Sequence, residues 1–556
     1  MSKSNLNLKW SYQIADILSS LGVKYVCICP GSRNSALTIG FTDNLYFITT
    51  SHIDERSAGY FALGISKNNN IPTVVITTSG TAVANLFPSI IESNLSKTPL
   101  IIITADRPRD LIDKGENQTI NQKDIYGKHV RNFNDIGLPS ENFSLLQKNI
   151  ESSFQHSIGT SRIPPGPIHI NIPFDEPLVP RLINNNKNTV KPNKLIHAYK
   201  SEIDLKKINL DNSLIICGEI PSYEPLDSIL KLSEHIDAPI FADPTSNLRY
   251  YKKHKNIISN YNFILDKIKL LPDTIIRFGR KPTSKILTNF IKNHNNVILI
   301  DKYPAFNDSA HHYISSNYDD FLIFIKSSCP DISNSMSFNE FFKYQNKISS
   351  FIKQLNTKKY DCEGILINNI LNELHSNTNV FIGNSMAIRE ADDLTVNIGK
   401  NLKIYCNRGA SGIDGLVSTA LGISFSSTNK SILNVAILGD LSFFHDMNGL
   451  FLCKRNQLNV KFIILNNNGG GIFSDLDIEK LNYPKFKEYW TTPLNLDLKK
   501  ISNVYNIKYS VARNSSEVQS IINSNNEVEI IDYKIDIESS KKIKRDIKDL
   551  VGNLIY

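Results

Sequence analysis

Short apolar runs recur along this chain, each ending in a polar or glycine-bearing turn and leading into a stretch with helical spacing. Runs at 25–29, 72–77, 100–105 and 168–172 predict four buried strands, with helices over 55–66 and, led by Gly80, over 81–93. A second block, about 201–333, has such runs at 214–217, 239–242, 274–278 and 297–300. A third, from about 362, has them at 380–382, 434–438, 460–465 and 528–533. Strand, turn and helix in this alternation imply parallel sheets covered on both faces. The polar stretch 184–193 reads as a linker and 334–361 as an amphipathic helical connector. The expected fold is α/β in three domains, each a mainly parallel sheet flanked by helices, over 1–183, 195–345 and 360–556. The first and third blocks share one grammar, without a fixed-period repeat.

Composition narrows the class. A chain of 556 residues, 41% hydrophobic and 21% charged, can bury a large core without disulfides or metal staples. Its apolar runs are too short to span a bilayer, and MSKSNLNLKW lacks the apolar centre of a signal peptide, so a cytoplasmic protein is expected. Seven scattered cysteines with no C-x-x-C spacing argue against a zinc site or disulfide framework, and Cys27 and Cys29 read as core filling. The formal charge of +8 is spread among asparagines, and its densest run, 541–544, reads as a solvated helix face. Neither nucleic acid nor membrane is expected as a partner. The charge still favours attraction of anionic small molecules.

Chemistry enters in the third block. The run from Val435 ends at Gly439-Asp440 and leads into a helix; the run from Val460 ends at Asn466-Asn467, followed by Gly469, Gly470 and Gly471. In open parallel sheets, ligands collect beyond the carboxyl ends of the strands. Asp440 and Asn467 would lie side by side there. A carboxylate, an amide oxygen and a backbone carbonyl make a hard oxygen set suited to Mg²⁺ that also holds a diphosphate. The glycines let the backbone approach phosphates closely. Neither G-x-G-x-x-G nor G-x-x-x-x-G-K-[ST] occurs, which removes the usual support for dinucleotide or P-loop binding.

Gly439-Asp440-Leu441, then 24 residues, then Asn466-Asn467 resembles the signature of the thiamine diphosphate-dependent enzymes. That resemblance implies Mg²⁺, or Mn²⁺, on Asp440, the Asn467 side chain and the Gly469 carbonyl. It implies cofactor contacts from Gly439, Leu441, Ser442, Ile472 and Phe473, the last two forming an apolar wall. It also implies an activating acid against the aminopyrimidine, shielded from water so that a proton can be shared. Ser51-His-Ile-Asp-Glu55 matches, making Glu55 the catalytic candidate, and Ile413 matches the residue that wedges beneath the cofactor.

A narrower resemblance spans all three blocks. Cys29-Pro-Gly-Ser-Arg-Asn-Ser35, Asp54-Glu-Arg56, Thr78-Ser-Gly-Thr-Ala82, Thr104-Ala-Asp-Arg-Pro108 and Asn117-Gln118 belong to it. So do Gly383-Asn-Ser385 with Arg389, and the long, unusual Arg-Gly-Ala-Ser-Gly-Ile-Asp-Gly at 408–415. These resemble the 2-succinyl-5-enolpyruvyl-6-hydroxy-3-cyclohexene-1-carboxylate synthases of the menaquinone and phylloquinone pathways. The implied reaction is a transfer: 2-oxoglutarate is decarboxylated and the succinyl carbanion equivalent adds to isochorismate. Four substrate carboxylates need cations or several N–H donors once water is excluded. The matched motifs offer Arg33, Arg107, Arg389 and Arg408, with Ser32, Asn117, Gln118 and Ser385, and Lys285 from the middle block. Ile286 stands where a second basic residue is expected. The resemblance further implies a homodimer or homotetramer with active sites at subunit interfaces.

Two rival readings remain. Another thiamine diphosphate-dependent 2-oxoacid decarboxylase or an acetohydroxyacid synthase would not need so many arginines. A non-catalytic nucleotide-binding or regulatory module would not need the acid at Glu55.

Overall fold

The computed structural model describes residues 3–179, 201–203, 210–265, 271–329, 338–355, 362–427, 432–524 and 527–555. The expected linker at 184–193, and both ends of the expected connector, lie outside them. Three six-stranded sheets, every strand pair parallel, organise the rest. The first comprises β1 (Tyr25–Ile28), β2 (Ile48–Ser51), β3 (Thr73–Thr77), β4 (Leu100–Asp106), β5 (Phe133–Asp135) and β6 (Pro167–Pro173), in the order β2-β1-β3-β4-β6-β5. The second comprises β7 (Ser213–Cys217), β8 (Ile240–Ala242), β9 (Ile257–Ile258), β10 (Thr274–Phe278), β11 (Val297–Asp301) and β12 (His312–Ser315), in the order β12-β11-β10-β7-β8-β9. The third comprises β13 (Asn379–Ile382), β14 (Lys403–Tyr405), β15 (Asn434–Gly439), β16 (Val460–Asn466), β17 (Lys508–Ala512) and β18 (Glu529–Lys534). Its order, β14-β13-β15-β16-β18-β17, repeats that of the first sheet. The shared grammar of the first and third blocks is therefore a shared topology.

The four inner strands of each sheet are the four that the apolar runs predict. They are buried almost throughout, because helices cover both faces. The structure departs from expectation over 81–93, where two helices, Thr81–Asn85 and Phe87–Leu95, replace one. Pro88 has no N–H to donate to the Ala84 carbonyl, so a continuous helix cannot run through it. The basic run is a second correction. On the helix Ile537–Ile555, Lys544 Nζ lies 2.5 Å from Glu390 Oε1 and 3.4 Å from Glu363 Oε2, while Lys541 donates to the Ser474 carbonyl at 3.1 Å. Two of its lysines thus hold structure rather than face solvent.

By packing, the chain divides into two compact units. One contains Met1–Tyr199, Asn407–Thr428 and Asp446–Asn456; the other contains Lys200–Cys406, Asn429–His445 and Gln457–Tyr556. In the first unit, the helix Leu416–Ser426 lies hard against the helix Glu55–Asn69. A β-carbon on Gly64 would fall 2.1 Å from the Thr419 carbonyl oxygen, and one on Gly422 would fall 2.0 Å from that of Phe61. Only hydrogen at both positions permits that approach. All seven cysteines are free thiols, and Cys27 and Cys29 are buried in the core as expected. Among the described residues, no helix is long and apolar enough to cross a membrane.

Candidate active site

In the second unit, β15 and β16 run side by side with Gly439 opposite Leu465, so their carboxyl ends deliver Asp440 and Asn467 to one place. Asp440, 4% exposed, opens the helix Asp440–His445. Its Oδ1 accepts the Leu441 N–H and its Oδ2 the Gly469 N–H, both at 2.8 Å. Burial pushes this carboxyl up to about 6 even against those backbone donors. No cationic side chain among the described residues pairs with it. Asn467 Oδ1 is buried and accepts no hydrogen bond, a costly state for an amide oxygen without a partner.

A β-carbon on Gly439 would meet nothing within 4 Å, so open space lies over this strand end. Gly469, at φ +134°, has its backbone pressed against the Thr491 carbonyl, where a β-carbon would fall 2.1 Å away. Buried carboxylate, orphaned amide oxygen and close glycine backbone fit a divalent cation carrying a diphosphate. Among the described residues no cluster of three His, Cys, Asp or Glu could hold a metal instead. Ile472 and Phe473, both half-buried, follow in the short turn Gly471–Asp475.

Ser385, at φ +68°, precedes the helix Met386–Leu394, and its carbonyl accepts Arg389 Nη1 at 2.6 Å. Arg389 is exposed. Lys285, also exposed, opens the helix Lys285–Lys292 beside the exposed Ile286. The Asp477 carboxyl is held below its usual range, first by a hydrogen bond from Lys480 and last by the charge of Lys285.

In the first unit, Glu55 begins its helix but does not cap it. Asp54 does, accepting the N–H of Arg56 at 2.9 Å and of Ser57 at 3.3 Å. Glu55 is left half-buried, with Oε2 accepting Asn85 Nδ2 at 3.1 Å.

Arg33, 7% exposed, donates from Nη1 to the Phe174 carbonyl at 2.9 Å, while its buried Nε has no partner. Arg107 donates to Ser79 Oγ and to the Gln118 carbonyl. Its guanidinium is pushed below its usual range, first by burial and then by the charge of Arg33. Arg33 Nη2 also lies 3.4 Å from the exposed Glu176 carboxylate. Ser32, Asn117 and Gln118 are exposed nearby in sequence, and Gln118 Nε2 reaches the Ser79 carbonyl at 3.1 Å. Arg408 and Ile413 are both half-buried on one loop of this unit, so Ile413 is not a core residue.

Sequence reasoning missed the polar network beneath Arg107. Gln122, fully buried, accepts the Gly80 N–H at 2.9 Å and donates to Asn171 Oδ1 at 2.8 Å and to the Ala105 carbonyl at 3.2 Å. Asn171 in turn donates to Asp106, whose other oxygen accepts the Arg107 N–H. Polar side chains at inward strand positions were the available signal. His169 closes the network: the Thr104 hydroxyl donates to Asn171, so His169 Nε2 carries the hydrogen that meets Thr104 Oγ1 at 2.7 Å.

Burial pushes His169 and His52 each down to about 3. Both therefore fold neutral, whereas the unfolded chain takes up their protons near pH 6.5. Their contribution to stability is full above that pH and is lost as pH falls from about 6.5 towards 3, on the order of a few kcal/mol for each. Calorimetric melting between pH 7 and 4.5 should show the wild type falling more steeply than His169→Gln. Equal slopes would mean that His169 does not fold neutral.

These features define a thiamine diphosphate enzyme. The thiamine pyrophosphate enzyme N-terminal binding-domain model matches residues 8–125, and the C-terminal binding-domain model matches 396–527. Among curated relatives, the 2-succinyl-5-enolpyruvyl-6-hydroxy-3-cyclohexene-1-carboxylate synthase of Listeria innocua is 35% identical over 529 residues, covering 91% of this chain and 90% of the relative. Those of Bacillus pumilus, at 32% over 551 residues (95% and 94%), and Staphylococcus aureus, at 34% over 535 residues (92% and 91%), agree. The chain belongs to the 2-succinyl-5-enolpyruvyl-6-hydroxy-3-cyclohexene-1-carboxylate synthase family.

Proposed function

We propose that the chain decarboxylates 2-oxoglutarate and adds the succinyl carbanion equivalent 1,4 to isochorismate, giving 2-succinyl-5-enolpyruvyl-6-hydroxy-3-cyclohexene-1-carboxylate and CO₂. The observation that carries the cofactor assignment is Asn467 Oδ1, a buried acceptor with no partner on the strand end next to the buried Asp440 carboxylate. Asp440, the Asn467 side chain and the Gly469 carbonyl would hold Mg²⁺, with Gly439, Leu441 and Ser442 along the diphosphate. Thiamine diphosphate, when bound, supplies the carbon nucleophile and the electron sink for decarboxylation. Glu55 holds the proton shared with the aminopyrimidine, and Ile413, Ile472 and Phe473 present apolar surface to the cofactor.

The cations have a separate task. Arg33 and Arg107 would bind a substrate carboxylate with Ser32, Asn117 and Gln118. Arg389 with Ser385, Arg408 and Lys285 would serve the remaining carboxylates. The three-domain division at 1–183, 195–345 and 360–556, assembly as a homodimer or homotetramer with sites at subunit interfaces, and a cytoplasmic location belong to the same proposal.

A substrate assay tests it. Purified protein with thiamine diphosphate and Mg²⁺ is given isochorismate with either 2-oxoglutarate or pyruvate, and products are identified by mass spectrometry. The expected result is an adduct that depends on 2-oxoglutarate, has lost CO₂ and keeps the enolpyruvyl group. CO₂ release without an adduct, or only from pyruvate, would reject the reaction while keeping the cofactor.

A further inference from the structure

Helix Phe87–Leu95 carries a single charged residue, Glu92, which is 1% exposed. Its carboxylate spans two consecutive backbone amides far away in sequence: Oε1 accepts the Gly409 N–H at 2.9 Å and Oε2 the Ala410 N–H at 2.6 Å. Lys67 Nζ lies 3.5 Å from Oε1, itself only 9% exposed. The fit allows no side chain at Gly409, because a β-carbon there would fall 2.9 Å from both the Glu92 carbonyl oxygen and Oε2. Further along the same loop, Asp414 accepts the Tyr60 hydroxyl, and Gly415 lies on the Tyr60 ring. The stretch between these two anchors holds Ile413, and Arg408 directly precedes the first anchor.

A buried carboxylate demands compensation, and here loop amides supply much of it. We propose that Glu92 is a positioning residue: its two-amide grip sets where Arg408 and Ile413 present their side chains, with Lys67 beside it. This rests on the reading of Arg408 and Ile413 given above. It assigns a role to an acid whose partners are the Gly409 and Ala410 amides and Lys67.

Glu92→Gln is the same size but can no longer accept at both ends, because its NH₂ group must face one of the two N–H groups. Three measurements follow. Hydrogen exchange in peptides covering 407–415 should quicken roughly tenfold or more in the variant, while peptides from β3 and β4 stay unchanged. KM for at least one of the two substrate acids should rise about tenfold, with kcat within about threefold of wild type, as expected when ground-state and transition-state binding are lost together. The double variant Lys67→Met/Glu92→Gln removes both buried charges; it should regain melting temperature without regaining KM or slow exchange.

Unchanged exchange at 407–415 overturns the proposal, and so does faster exchange with an unchanged KM. Recovery of KM in the double variant also overturns it, since that would mean Glu92 acts only through charge burial. If the wild type does not turn over these acids, the proposed reaction fails on its own account. Exchange then still decides whether Glu92 holds the loop.

Discussion

Asp440→Ala will weaken Mg²⁺ and thiamine diphosphate binding together, by roughly a hundredfold or more in calorimetric titrations of each in the presence of the other, since even outer-shell partners of metal ligands are worth 10–100-fold. The reason lies in the count of donors. Asp440 supplies a carboxylate at this strand end, whereas the Asn467 amide oxygen and Gly469 carbonyl are neutral. A hard dication bearing a diphosphate needs anionic oxygen from the protein as well as from the ligand. The substitution also leaves the N–H groups of Leu441 and Gly469 without their acceptor, so the glycine backbone loses its seat. Asp440→Asn keeps the shape and one of the two acceptors while removing the charge, so it should lose less affinity than Asp440→Ala. If affinity for both ligands is unchanged in Asp440→Ala, the metal is held elsewhere.

Glu55→Gln should do the opposite, leaving the calorimetric affinity for thiamine diphosphate within a few-fold of wild type while turnover falls by about 10²–10⁴, the range general acid–base catalysis supplies. Glutamine can still accept Asn85 Nδ2 through its amide oxygen, so local packing survives. Helix capping is untouched as well, because Asp54 performs it. What disappears is the ionisable proton. A variant with near-normal kcat would remove Glu55 from the mechanism, whatever its place in the fold.

The two outcomes separate holding the cofactor from activating it, and they probe different compact units. Asp440 belongs to the unit of the second and third sheets, and Glu55 to that of the first. The Glu92 variant adds a third kind of effect, on the placement of groups that touch ligand. Together they would distinguish a site that is assembled but inactive from one that is never loaded.

The chain's own pattern was enough for every inner strand of the three sheets. Those strands are buried on both faces, so their composition is forced to be apolar, and the parallel order follows from the helices between them. It was not enough for β2, β5, β9, β12, β14 or β17, which are all edge strands. An edge has a neighbour on one side only and is often half-exposed, as in Ile48–Ser51, Phe133–Asp135 and Lys508–Ala512. Polar residues are tolerated there, and no apolar run marks the strand.

The site divides in the same way. Asp440, Asn467 and the glycines could be read from sequence because strand-end chemistry is local: the residue after a strand must sit at its carboxyl end. Glu55 and the arginines could be named only by resemblance, since nothing nearby in sequence distinguishes a catalytic acid from a helix cap or a binding arginine from a surface one. Tertiary structure alone decided that Asp54 caps while Glu55 faces Asn85, and that Arg33 reaches the Phe174 carbonyl and Arg107 that of Gln118. It alone brought Glu92 to amides more than three hundred residues away. Local backbone geometry follows from neighbouring residues, whereas the worth of a buried charge depends on partners that only the folded chain brings within reach.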